Sequence, residues 1–62
     1  RKLAVVNVRG FKLIRVVKNA VTTEELYDLT ADPWESSDLL LGTLSDVQAE
    51  NYSYLSGVLD AL

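Results

Sequence analysis

The chain has no cysteine, no histidine and no methionine, and only one proline and three glycines among its 62 residues. Without cysteine it can form no disulfide, present no thiolate nucleophile and build no thiolate metal site. Without histidine it lacks the usual general base near neutral pH, the commonest zinc ligand and the Ser-His-Asp arrangement. Any chemistry would fall to carboxylates, lysine, tyrosine and hydroxyls, so the chain alone is not expected to be an enzyme. Long apolar runs are missing too. The longest is the four residues Leu3–Val6, far below the roughly 20 that span a bilayer, and no signal-peptide pattern opens the chain, so no membrane partner is expected. The missing methionine and the start at Arg1-Lys2 fit a piece processed or excised from something longer.

What is present is 48% apolar and 24% charged residues, the composition of one small globular domain over residues 1–62. A chain this short buries only about 60% of its unfolded surface, so its core has little to spare. The net charge of −3 conceals two blocks: Arg1, Lys2, Arg9, Lys12, Arg15 and Lys18 all precede the nine acidic residues, which run from Glu24 to Asp60. A basic stretch containing Phe11 could face nucleic acid, but an isoelectric point near 4.6 opposes it, and no nucleic acid is expected. The basic residues are expected instead to line the solvated side of strands and attract the acidic half within the fold.

Leu3–Val8 is β-branched and short, Arg9-Gly10 is a turn candidate, and Phe11–Val17 alternates, so a hairpin is predicted. In the second strand Phe11, Leu13 and Arg15 share one face and Lys12, Ile14 and Val16 the other. Neither face is cleanly polar. A sheet apolar on both sides calls for two covering layers, and one helix supplies only one. Lys18–Thr23 reads as a loop and Glu24–Leu29 as a third strand, with Leu26 and Asp28 opposite Tyr27 and Leu29. Asp32-Pro33 sets a turn, Asp38–Leu41 makes one helical turn ending at Gly42, and Ser45-Asp46-Val47-Gln48 is a capping box opening a helix. Along that helix Leu44, Val47, Tyr54, Leu55, Val58, Leu59 and Leu62 recur at helical spacing, interrupted by Asn51. The fold class is α+β: a small antiparallel sheet of about three strands, the first two a hairpin, with a C-terminal helix on one face.

The carboxylates Asp28, Asp32, Glu35 and Asp38 are close enough to suggest a hard-cation site. They lack the glycine and terminal glutamate of an EF-hand loop. The reading preferred here has Asp32 capping a turn and the others facing water, with no metal or other cofactor held by this chain. Tyr27 and Trp34 are read as core rather than as a recognition surface.

The stretch Glu25-Leu26-Tyr27-Asp28-Leu29-Thr30-Ala31-Asp32-Pro33-Trp34-Glu35-Ser36-Ser37-Asp38-Leu39 resembles the ELYDLxxDPxExxNL signature near the C-terminus of sulfatases. Gly10-Phe11-Lys12-Leu13-Ile14 is similar to that family's aromatic-Lys-Leu-Ile strand, and Ser45–Leu62 sits where the family's terminal helix does. The resemblance covers nearly the whole chain. It implies a C-terminal subdomain docked on a larger α/β catalytic domain of the alkaline phosphatase superfamily, where a formylglycine made within Cys/Ser-x-Pro-x-Arg and a calcium ion carry the chemistry. That motif is absent here, so no catalytic residue carries over.

What the resemblance assigns is structural. Tyr27 and Leu29 are packing residues of the last strand, Asp32-Pro33 is the turn, Glu35 is a flanking acidic position and Leu39 is the anchor before the helix. Lys12 and Tyr27 are the residues placed at the rim of the parent's cleft. Three departures stand out: Trp34 where glycine is common, Asp38 where asparagine is usual, and Asn7 where an arginine is often found. Trp34 argues against a positive φ at its position. The implied partner is the parent's catalytic domain. A reading from another class makes the chain a stand-alone module that dimerises or binds a partner through its spare apolar sheet face.

Overall fold

The computed structural model describes residues 1–62. Strands β1 (Lys2–Val6), β2 (Phe11–Lys18) and β3 (Val21–Asp28) form an antiparallel meander, followed by a 3₁₀ turn at Leu39–Leu41 and helix α1 (Asp46–Asp60). This is the α+β arrangement expected from the sequence.

Local chemistry sets the first hairpin. Asn7 Oδ1 accepts from the backbone N–H of Arg9 and of Phe11, both at 3.1 Å, and Gly10 takes φ +86°, a conformation open to glycine without a steric penalty. A Cβ at Gly10 would also lie 2.6 Å from Thr30 Oγ1. The second hairpin is tighter than the sequence suggested. Pairing runs to Lys18↔Val21, leaving only Asn19 and Ala20 in the turn, at φ +52° and +65°. Two left-handed residues give the twist that suits a two-residue β-hairpin, so β3 begins at Val21 and not at Glu24. Leu29 lies just past its end, where its N–H donates to Gly10 O at 2.8 Å.

The register assigns the faces. Leu3, Val5, Phe11, Leu13, Arg15, Glu24 and Leu26 point toward α1, and Ala4, Val6, Lys12, Ile14, Val16, Glu25 and Tyr27 point to the back. On the helix face Phe11, Leu13, Leu26, Leu55 and Leu59 form the core, with Leu39, Leu40, Leu44 and Tyr52 packed around it. Full burial of a leucine such as Leu13, Leu26 or Leu55 contributes about 1.5–3 kcal/mol. The back face has no second layer of secondary structure. Ile14 and Tyr27 are nonetheless buried there, while Val6 and Val21 are exposed.

Ser45 caps α1 by accepting from Gln48 N–H, and the Gln48 side chain returns to Ser45 N–H at 2.9 Å. The buried positions of α1 are Asn51, Leu55 and Leu59. Asn51 is therefore part of the inward stripe, not a break in it, whereas Val47, Tyr54 and Leu62 are exposed. Trp34 is not core. It is 89% exposed and follows Pro33 in a turn held mainly by bonds to the Asp32 carboxylate. The left-handed residue of that turn is Glu35, at φ +54°, and not Trp34.

Candidate functional site

Lys12 and Tyr27 are register partners across β2 and β3, side by side on the back face. The turn after β3 reaches over them. Lys12 Nζ lies 3.0 Å from Glu35 Oε2, with both side chains about a quarter to a third exposed, an ion pair worth at most about 1 kcal/mol in such a setting. Tyr27 Oη donates to Glu25 Oε1 at 2.5 Å. That bond to a carboxylate, reinforced by burial, pushes the Tyr27 phenol up to about 12. The hydroxyl is therefore held as a donor and is a poor base near neutral pH. Both groups are thus already bonded, the cation to Glu35 and the hydroxyl to Glu25, and they form no nucleophile–base dyad.

The four neighbouring carboxylates do not converge. Asp28 Oδ1 accepts from Thr30 N–H, and Asp32 accepts from Ser36 N–H, Ser36 Oγ and Ser37 N–H at 2.8–3.0 Å. These bonds, led by the one from Ser36 N–H, hold the Asp32 carboxyl below its ordinary range. Glu35 answers Lys12. Asp38 Oδ1 accepts from Leu40 N–H, capping the 3₁₀ turn, and from Leu26 N–H on the outer edge of β3, both at 3.0 Å. Glu35 and Asp38 thus do not simply face water, because a cation and two backbone donors draw them in. No group of three or more acidic side chains that could hold a metal ion forms, and no Cys/Ser-x-Pro-x-Arg motif occurs.

On the helix face a second polar cluster forms from residues far apart in sequence. Arg15 Nε donates to Glu24 at 2.8 Å, Nη1 to Asp60 at 2.7 Å and Nη2 to Ser56 at 3.1 Å. Tyr52 Oη also donates to Glu24. The Arg15 side chain is only 14% exposed, so it is not on the solvated side of its strand: it bridges sheet and helix. The hydrogen bonds it donates to Glu24 and Asp60 raise its affinity for the proton, and the bond to Glu24 raises that of Tyr52.

A groove of about 410 Å³ separates the β1 end of the sheet from α1, lined mainly by Val5, Val6, Val8, Tyr54 and Val58, with Arg9 and Glu50 at its lip. At its base Asn7 Nδ2 donates to Asn51 Oδ1 at 2.8 Å, and Asn51 Nδ2 donates to Val47 O at 2.8 Å. Sequence reasoning did not single out this groove. Its signal was the polar Asn51 in an otherwise apolar helical stripe, facing Asn7 at the hairpin turn.

No helix is long and apolar enough to cross a membrane. Comparison of the chain with protein-family models, with curated proteins and with solved structures finds no match.

Proposed function

We propose that the chain is a non-catalytic C-terminal subdomain of a sulfatase-like sulfuric ester hydrolase that completes the parent's fold by packing its back sheet face on the catalytic domain. The observation that carries this reading is the stretch Glu25–Leu39, which resembles the sulfatase signature. It runs from β3 through the Asp32 turn to the 3₁₀ turn without interruption. Further support comes from the back face itself, where Val6 and Val21 lie open beside buried Ile14 and Tyr27. Exposed apolar side chains on a sheet face with no covering element are compatible with such packing. In this arrangement Lys12 and Tyr27 stand at the rim of the parent's cleft, and the nucleophile and calcium belong to the larger domain.

The test is the reading frame upstream of the Arg1 codon. A Cys/Ser-x-Pro-x-Arg motif in frame, with loss of sulfate-ester hydrolysis when residues 1–62 are deleted from the full product, is the expected result. A start codon immediately before Arg1 overturns the proposal and leaves a stand-alone interaction module.

A further inference from the structure

The two edges of this sheet are unlike. Arg1 N–H and Asn7 N–H both bond to β2, at Val17 O and Phe11 O. In an antiparallel ladder this orientation alternates, so Leu3 and Val5 also face β2 while the N–H and C=O groups of Lys2, Ala4 and Val6 point outward. Nothing in the chain pairs with β1 on that side, since β2 is its one neighbour. The opposite edge is guarded. Asp38 takes the outward N–H of Leu26, and β3 carries Glu24, Glu25 and Asp28. Proteins commonly protect edge strands with charges, prolines or covering segments. β1 has only Lys2 at its start, and its Ala4-Val5-Val6 centre has no such protection.

We infer that the β1 edge is a docking site for a second copy of this chain, joined antiparallel about Ala4 so that two three-stranded sheets become one. The register is self-complementary. Ala4 meets Ala4 at the two-fold axis, Lys2 meets Val6 and Leu3 meets Val5, so the outward backbone groups of each copy find partners and no like charges oppose. Both helices then lie on the same face. In this register the groove at the Val5–Arg9 end of one copy, lined also by Tyr54 and Val58, lies alongside Leu3 and Arg1 of the other, and the exposed Tyr54 faces the partner's Leu3. Charge fits as well. The same register sets Arg1 of one copy opposite Asn7 of the other, on the helix face where the Glu50 side chain, 3.8 Å from Arg9 Nη1, is 72% exposed. This inference stands apart from the sulfatase reading, which concerns the back face and is tested in the gene.

The experiment is sedimentation equilibrium of the 62-residue chain over a wide concentration range, paired with amide hydrogen exchange at its two extremes. A monomer–dimer equilibrium is expected, with the Lys2, Ala4 and Val6 amides becoming protected as the dimer forms. Ala4→Pro removes an outward N–H without touching the β2 ladder, and Ala4→Lys sets like charges at the axis. Each should weaken the dimer about tenfold or more, comparable to a lost interfacial hydrogen bond. Val21→Lys, on the back face at the far edge, should leave it unchanged. A chain monomeric at every concentration overturns the proposal, as does a dimer that resists both Ala4 variants or that Val21→Lys disrupts. If Ala4→Pro fails to fold, the exchange of the three wild-type amides decides: unprotected amides in a dimer overturn it equally.

Discussion

Asn7 and Asn51, 44 positions apart, are joined by a 2.8 Å hydrogen bond that ties the first hairpin turn to the first half of the helix. Both ends of each amide are engaged: Asn7 Oδ1 shapes its own turn, and Asn51 Nδ2 satisfies Val47 O. Asn51 is 3% exposed and is the one buried polar residue. Removing either partner strands the other, and a buried unsatisfied group costs about 1–3 kcal/mol. Asn51→Ala should therefore destabilise by about 2 kcal/mol in denaturant titration. A double-mutant cycle with Asn7→Ala should return a coupling of about 1 kcal/mol or more; strict additivity would show that the bond does not tie turn to helix.

Arg15 reaches three acceptors from one planar group. Lysine keeps the charge but cannot supply donors fixed in a fork. Arg15→Lys should lose at least one charge-assisted bond, about 2 kcal/mol, and lower the melting temperature. Glu24→Gln should act in the same direction, because Tyr52 and Arg15 share that carboxylate. Thermal melts of the two variants and their combination check this. The combination should fall short of the sum.

The hairpin turns predict opposite responses to small changes. Ala20 sits at φ +65°, where an L-residue is strained by about 1 kcal/mol or more. Ala20→Gly gives the Asn-Gly pair favoured in two-residue hairpins and should raise stability by about 0.5–1 kcal/mol. Gly10→Ala meets both a left-handed φ and a close approach to Thr30 Oγ1 and should lower it by more than about 1 kcal/mol. Calorimetry of both variants reads the two signs directly.

Alkaline unfolding should bear the mark of Tyr27. Its phenol is raised from 10.0 to about 12 in the folded chain, so the folded state holds the proton more tightly. The resulting stability is fully present below pH 10 and is lost as pH rises toward 12. Tyr27→Phe should flatten this limb of the stability–pH curve, and Tyr52→Phe should trim it further, since Tyr52 shifts in the same direction. An unchanged alkaline limb in Tyr27→Phe would separate the hydroxyl from the effect.

Acid acts through Asp32. Three donors in the turn favour its charged form and depress its pKa. Its contribution is present above the ordinary carboxylate range near 4 and fades as pH falls through the lowered folded value. Asp32→Asn should lower stability at neutral pH, where the carboxylate is charged, and narrow the gap from wild type as pH falls. Chemical denaturation at neutral and acidic pH measures that gap.

Features set within a few residues were legible in the sequence. The β-branched hairpin, the Asp32-Pro33 turn, the single helical turn ending at Gly42 and the Ser45–Gln48 capping box each have a local chemical cause, and each is found in the structure, where Asp38 caps the helical turn rather than belonging to it. Features set by pairing were not. The start of β3 depends on Lys18 meeting Val21, which holds Asn19 and Ala20 in a conformation that their own propensities do not demand. Lys12 and Tyr27 could be assigned to faces by alternation, but their adjacency needed the register. The Arg15 cluster joins positions 45 apart, and no sequence window contains it. Trp34 was misleading because aromatic bulk favours burial only where the backbone aims the ring inward.

The bond from Leu26 N–H to Asp38 has a consequence for how large an assembly of this chain can grow. A sheet with one receptive edge and one sealed edge stops at two members, as a tile with a single tongue does. Losing the Asp38 carboxylate would free the outward Leu26 N–H and leave only the charges of Glu24, Glu25 and Asp28 between a finite pair and chains that seed one another. One aspartate in a surface turn, whose local task is to begin a three-residue helical turn, thus shares in setting the boundary between a discrete particle and open-ended polymerisation.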